Sequence, residues 1–188
     1  MNKILLIIDA QYDFINGSLA VNGAEGKMIK LAEYINSKGK NYDCIIMTAD
    51  WHPNNHCSFI EYNGEWPKHC VQYTAGAAIY QPIIEAIDNA KCNSIVLEKG
   101  TAANKEEYSV MDNYFSSKSL IRLIDSYSAE QIDVCGIANE YCVLNTVKDL
   151  NEKYNLGSKL NILINFVAAI KDESVLINYA NTNNLKIE

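Results

Sequence analysis

Five short aliphatic runs, each followed by a stretch with helical spacing, restrict what this chain can fold into more than any other feature. Lys3 to Ile8, Cys44 to Ala49, Ser94 to Leu97, Ile132 to Ile137 and Leu160 to Ile164 read as strands. The first is continuously aliphatic, the pattern of a strand buried on both faces. Glu25 to Lys38 carries Met28, Leu31 and Ile35 at helical spacing. Ile83 to Ala90, Leu120 to Tyr127, the segment bearing Val143, Val147 and Leu150, and Glu173 to Ala180 read as further helices. Strand-then-helix order repeated in one chain predicts an α/β fold: a doubly wound, mostly parallel sheet in a three-layer arrangement with helices on both faces. With 188 residues and no internal repeat, low-complexity tract or linker, one domain over residues 1–188 is expected.

Two connections are long for a compact domain, Asp50 to about Ile79 and Gly100 to about Ser117, and such loops are more often functional than idle. Ligands of open parallel sheets bind outside the carboxyl ends of the strands. Strand one ends at Asp9, strand two at Asp50 and strand three at Glu98-Lys99, while strand four leads through Ala138 to Cys142. Reactive side chains thus gather at one edge of the sheet. Asn139 is a good N-cap type, which predicts Cys142 in the first turn of the next helix. Exposed amides there, with Lys99 nearby, favour a thiolate. Asp9 is placed to take the thiol proton and return it to a leaving amine. Cys44, Cys92 and Cys135, in or beside strand patterns, read as ordinary buried cysteines.

All three histidines, His52, His56 and His69, lie in the first long connection. Asp50 and His52, one residue apart, can converge on a point, and a second imidazole brought back by the loop makes a three-ligand metal site. Three protein ligands leave positions open, as in catalytic rather than structural sites. One carboxylate and two imidazoles suit zinc first, with iron(II) or manganese also open.

The formal net charge of −7, with acidic and basic residues interspersed, argues against nucleic acid or an anionic membrane surface as partner. The opening apolar run is too short for a signal peptide and ends at Asp9 without a small-residue cleavage site. Six cysteines without a CxxC pair point to the reducing cytoplasm and free thiols. Homo-oligomerisation stays open.

The chain resembles the isochorismatase-like cysteine hydrolases and, within them, the nicotinamidase (pyrazinamidase) family. The segments that carry the likeness are Leu6-Ile7-Ile8-Asp9-Ala10-Gln11-Tyr12-Asp13-Phe14, Thr48-Ala49-Asp50-Trp51-His52-Pro53, Trp66-Pro67-Lys68-His69-Cys70, Lys99-Gly100 and Gly136-Ile137-Ala138-Asn139-Glu140-Tyr141-Cys142. The resemblance implies a catalytic triad of Asp9, Lys99 and Cys142 and a divalent ion on Asp50, His52 and His69. It also implies an aromatic ring held between Phe14 and Trp66, oyxanion N–H groups from Ala138 and Cys142, and a cis peptide before Ala138. The implied activity is hydrolysis of nicotinamide to nicotinate and ammonia through a thioester, in NAD salvage. The metal of that family binds the pyridine nitrogen. A related amidase of another small carbamoyl compound, or a silent metal- or pyridine-binding relative, is the alternative. His56 is expected to stabilise its loop, with Ser58, Glu61 and Glu65 as other candidates to complete the metal shell, and Tyr108 as a further wall of the pocket. Asn139-Glu140 stands where relatives commonly have Thr-Asp, Ala49 where arginine is frequent, and Asn165 after strand five where an acid is commoner.

Overall fold

The computed structural model describes Met1–Glu188. Six strands, β1 (Lys3–Ile8), β2 (Cys44–Asp50), β3 (Ser94–Lys99), β4 (Gln131–Ile137), β5 (Leu160–Ala168) and β6 (Lys186–Ile187), form one sheet. Its order is β3-β2-β1-β4-β5-β6, and every neighbouring pair is parallel. The helices are α1 (Tyr12–Ile15), α2 (Ala24–Lys38), α3 (Gln81–Ala90), α4 (Tyr114–Ser126), α5 (Leu144–Glu152) and α6 (Ser174–Thr182). The chain steps from β1 to β2 to β3 in one direction and from β4 to β5 to β6 in the other. Right-handed crossovers therefore put α2 and α3 on one face and α4, α5 and α6 on the other.

Central strands covered on both faces are largely apolar, and Ile4 to Ile8 of β1 are fully buried. Edge strand β3 is covered less, and its Ile95 and Val96 stay partly exposed. The reversal of strand order lies between β1 and β4, so the crevice of the fold opens at their carboxyl ends. Asp9 leaves one of these strands and Ala138 the other.

Several boundaries differ from the sequence pattern, three of them for evident structural reasons. Helix α4 starts at Tyr114, because Asn113 accepts N–H groups of Phe115 and Ser116 and caps it; the first turn exposes Tyr114 and Phe115 and buries Ser116 and Ser117, so it carries no apolar periodicity. Strand β6 has only two residues, too few for a pattern. Strand β5 continues past Ile164, so Asn165 lies within it rather than after it. Opposite β4 the pairing jumps from Val134↔Ile162 to Gly136↔Val167. The intervening β5 residues bow out, which exposes Asn165 and brings Ala168 beside Ile137.

Gly136 sits where β4 presses on β1, with φ +121, and a Cβ there would meet the carbonyl oxygen of Ile8 at 2.0 Å. Gly136→Ala is expected to lower the unfolding free energy by about 3 kcal/mol, through backbone strain and steric conflict between two central strands. Urea unfolding checks this, and an unchanged midpoint contradicts it.

Candidate active site

The ends of β1, β2 and β3 and the turn after β4 converge on one buried ammonium. Lys99 Nζ lies 2.5 Å from Asp50 Oδ1 and 2.9 Å from Asp9 Oδ2, and it donates to Cys142 Sγ at 3.4 Å. Asp9 and Lys99 are fully buried. Asp9 takes a left-handed backbone, φ 47, and Thr48 Oγ1 donates to its Oδ1 at 2.6 Å. Its Oδ2 is close to the ammonium but out of line for a hydrogen bond, and no other group occupies that oxygen. Carboxylate oxygens of Asp9 and Asp50 and the sulfur of Cys142 lie within 4.8 Å of one another. Asp9 therefore stands beside both the ammonium and the thiol.

Burial raises the pKa of Asp9, and the attraction of Lys99 only partly offsets it. Burial also acts against charge on Asp50, yet Lys99 and His52 outweigh it and hold that carboxyl well below its ordinary range. Burial works against the Lys99 ammonium, but Asp50, Asp9 and Cys142 keep it charged. The Cys142 thiol is pushed up by burial, and the lowering by Lys99 does not compensate. Burial thus outweighs the lowering of the thiol pKa that Lys99 and the helix turn were expected to bring, which leaves Asp9 the role of taking the proton.

The turn that presents Cys142 also differs from expectation. Asn139–Val143 forms a single π-helical turn ahead of α5, and Asn139 makes no side-chain cap to it. Asn139 instead accepts the Leu176 N–H at 3.1 Å and donates to the Glu173 carbonyl at 3.1 Å. Glu140 accepts the backbone N–H groups of Ile170, Lys171 and Asp172. The pair grips the segment between β5 and α6. The peptide before Ala138 is cis, as the family likeness implies.

Asp50, His52 and His69 offer ligand atoms that all lie within 4.8 Å of one another. His69 is brought back because His52 pairs with Val71 in an isolated parallel bridge: His52 N–H donates to the Cys70 carbonyl at 3.0 Å and Gln72 N–H to the His52 carbonyl at 2.9 Å. His52 Nδ1 donates to the Gly100 carbonyl at 3.0 Å and His69 Nδ1 to the Pro67 carbonyl at 2.7 Å. Both rings are thereby left with Nε2 free, the arrangement typical of metal-binding histidines. The donor set fits a divalent ion.

His56 stacks on His52 with ring centroids 4.0 Å apart. Its nitrogens are occupied by Ser58 Oγ at 2.7 Å and the Lys105 carbonyl at 3.0 Å, so His56 turns no free nitrogen to the cluster. Burial lowers the pKa of His56 to about 4. Glu61 and Glu65 are exposed, and Glu61 pairs with Lys68 at 3.6 Å. The carboxylate that does approach is Glu106, which lines the same pocket as Asp50 and His69. Burial and then Asp50 raise its pKa. It sits in an aperiodic loop, and nothing in the sequence pattern singles it out.

Above Cys142 opens a mainly apolar slot of about 390 Å³, its mouth included. Phe14, Trp66 and Ala138 line it, together with Tyr108, Tyr141 and Ile170. Trp66 Nε1 donates to Tyr108 Oη at 3.1 Å, and Tyr141 meets the Trp66 ring edge-on at 5.0 Å. Tyr141 and Ile170 were not anticipated. Tyr141 adjoins Cys142, whereas Ile170 arrives only because Glu140 holds its loop.

The sequence profile of the Isochorismatase domain matches residues 3–155. The nicotinamidase of Escherichia coli is 31% identical, with 86% of this chain and 80% of that protein covered. Among solved structures, the pyrazinamidase of Pyrococcus horikoshii in complex with zinc superposes with a TM-score of 0.83 at 30% identity, covering 100% of this chain and 99% of that one. PnC1 from L. infantum in complex with nicotinate gives a TM-score of 0.81 at 29% identity, covering 100% and 92%. With the same sheet, a buried Asp-Lys-Cys cluster and a profile match over most of its length, the chain belongs to the isochorismatase-domain family.

Proposed function

We infer that the protein is a nicotinamidase, an amidohydrolase that converts nicotinamide to nicotinate and ammonia and so serves NAD salvage. One observation carries the reading: a carboxylate, an ammonium and a thiol meet under a slot with aromatic walls, beside an Asp-His-His cluster. A ring between Phe14 and Trp66 brings its carboxamide carbon to Cys142. Asp9 Oδ2 takes the Sγ proton, and Lys99 at 3.4 Å stabilises the thiolate as it forms. The sulfur attacks the carbonyl carbon, and N–H groups of Ala138 and Cys142 hold the oxyanion. Asp9 returns the proton to nitrogen, the C–N bond breaks and ammonia leaves. Water then cleaves the thioester, with Asp9 the base within reach, releasing nicotinate and the thiol.

Asp50, His52 and His69 hold the ion in this reading, zinc first, as in the Pyrococcus horikoshii pyrazinamidase complex. Bound there, the ion supplies a Lewis-acidic position for the pyridine nitrogen. All six strands join one sheet, which supports a single hydrolase domain over the whole chain. The six free cysteines and the −7 charge support a cytoplasmic enzyme acting on a small molecule, without nucleic acid or membrane. No helix is long and apolar enough to cross a membrane.

Cys142→Ala is expected to reduce ammonia release from nicotinamide at least ~1,000-fold, the scale of losing a nucleophile, while zinc content and fold are kept. Near-normal turnover by that variant sinks the assignment. Chelation should raise KM for nicotinamide, with recovery on adding zinc, and should leave turnover of benzamide, which lacks the ring nitrogen and is expected to react weakly, almost unchanged. Equal sensitivity of the two amides would remove the ring nitrogen from the metal's role. Release from other amides but not nicotinamide would favour the related amidase, and none from any amide the silent relative.

A further inference from the structure

Glu107 is a buried carboxylate, 4% exposed, outside the groups described so far. Three donors converge on it. Its Oε2 accepts the Gly100 N–H at 2.7 Å and the Asn113 amide at 3.0 Å, and its Oε1 accepts Lys105 Nζ at 2.8 Å. A carboxylate has lone pairs enough for all three and makes charge-assisted bonds that hold a backbone amide firmly. Asn113 also caps α4, so Glu107 ties Gly100 to the start of a regular helix.

Gly100 lies directly against the His52 ring. Its carbonyl accepts His52 Nδ1–H at 3.0 Å. Its φ is +63, and a Cβ on it would lie 2.3 Å from His52 Cε1. The residue thus packs flush against the imidazole while its N–H is clamped from behind. Swinging the Gly100 carbonyl would release the Nδ1 proton and free the ring to turn or change tautomer.

We propose that Glu107 is a positioning residue for His52: by clamping Gly100 it fixes the imidazole's orientation and tautomer, and so sets how tightly Asp50, His52 and His69 hold a divalent ion. This rests on the metal-site reading above. Partners one step behind a metal ligand change affinity about 10- to 100-fold when removed. Glu107 is one step further back, so the low end of that range is expected.

The test uses the full chain, with zinc affinity measured by chelator competition and the His52 Nδ1 proton followed by NMR in zinc-free protein. Glu107→Ala is expected to bind zinc about 10-fold more weakly and to lose the slowly exchanging His52 Nδ1 signal. Glu107→Gln keeps the volume and one acceptor; roughly 3-fold weaker binding and a shifted signal are expected. It decides the matter if Glu107→Ala does not fold. Parent-like zinc affinity and an unchanged His52 signal in both Glu107 variants overturn the proposal. Zinc binding insensitive to His52→Ala would instead overturn the metal site, and the zinc-free signal would still decide whether Glu107 holds His52.

Discussion

An ammonium with no access to water organises the top of this sheet. Burying a lone charge costs several kcal/mol even after relaxation, and a partner must be close for the fold to keep it. Lys99 meets that demand with Asp9 and Asp50, which come from different strands. Removing either acid would leave Lys99 with a single carboxylate partner. The register follows the same demand: Asp50 pairs with Lys99 across β2 and β3, and Ile8 with Gly136 across β1 and β4. Chemistry and sheet pairing are therefore one constraint.

Asp50 joins the two halves of the site. One of its oxygens takes Lys99, and the other lies 3.7 Å from His52 Nε2. Its backbone is fixed independently, since the Gln11 side chain donates to the Asp50 carbonyl and accepts the Asp50 N–H, both at 2.8 Å. A side-chain amide here continues the ladder between β1 and β2 beyond the end of the strands. The carboxylate is thus held by its main chain and leaves both oxygens to the cluster.

Much of this was legible in the sequence because it depends on position along strands. Continuous apolar runs in repeated β-then-α order give the sheet, and the residues that end those runs share an edge. That rule brings Asp9, Asp50, Glu98-Lys99 and, through a turn, Cys142 to one edge, and the family resemblance then assigns their roles. What stayed hidden depends on distant partners. Asn139 looks like a local cap, yet its hydrogen bonds go to α6 and the residue before it. Glu106 and Glu107 are neighbours in an aperiodic loop, one lining the slot and the other turned to Gly100. Burial of Cys142 reverses the acidity that its neighbours suggest, and no sequence pattern reports how completely water is excluded.

The separations bridged at the site carry a further meaning. Thr48 reaches back 39 residues to Asp9, Cys142 lies 43 residues from Lys99, and Lys99 lies 49 from Asp50. None of these contacts can form within one hairpin or one β-α unit. Long-range pairings come late, because chain closure must be met before they contribute. A growing or partly folded chain therefore carries Cys142 as an ordinary thiol, without the base or the ammonium. The arrangement of base, ammonium and sulfur is therefore complete only once β4 is paired with β1.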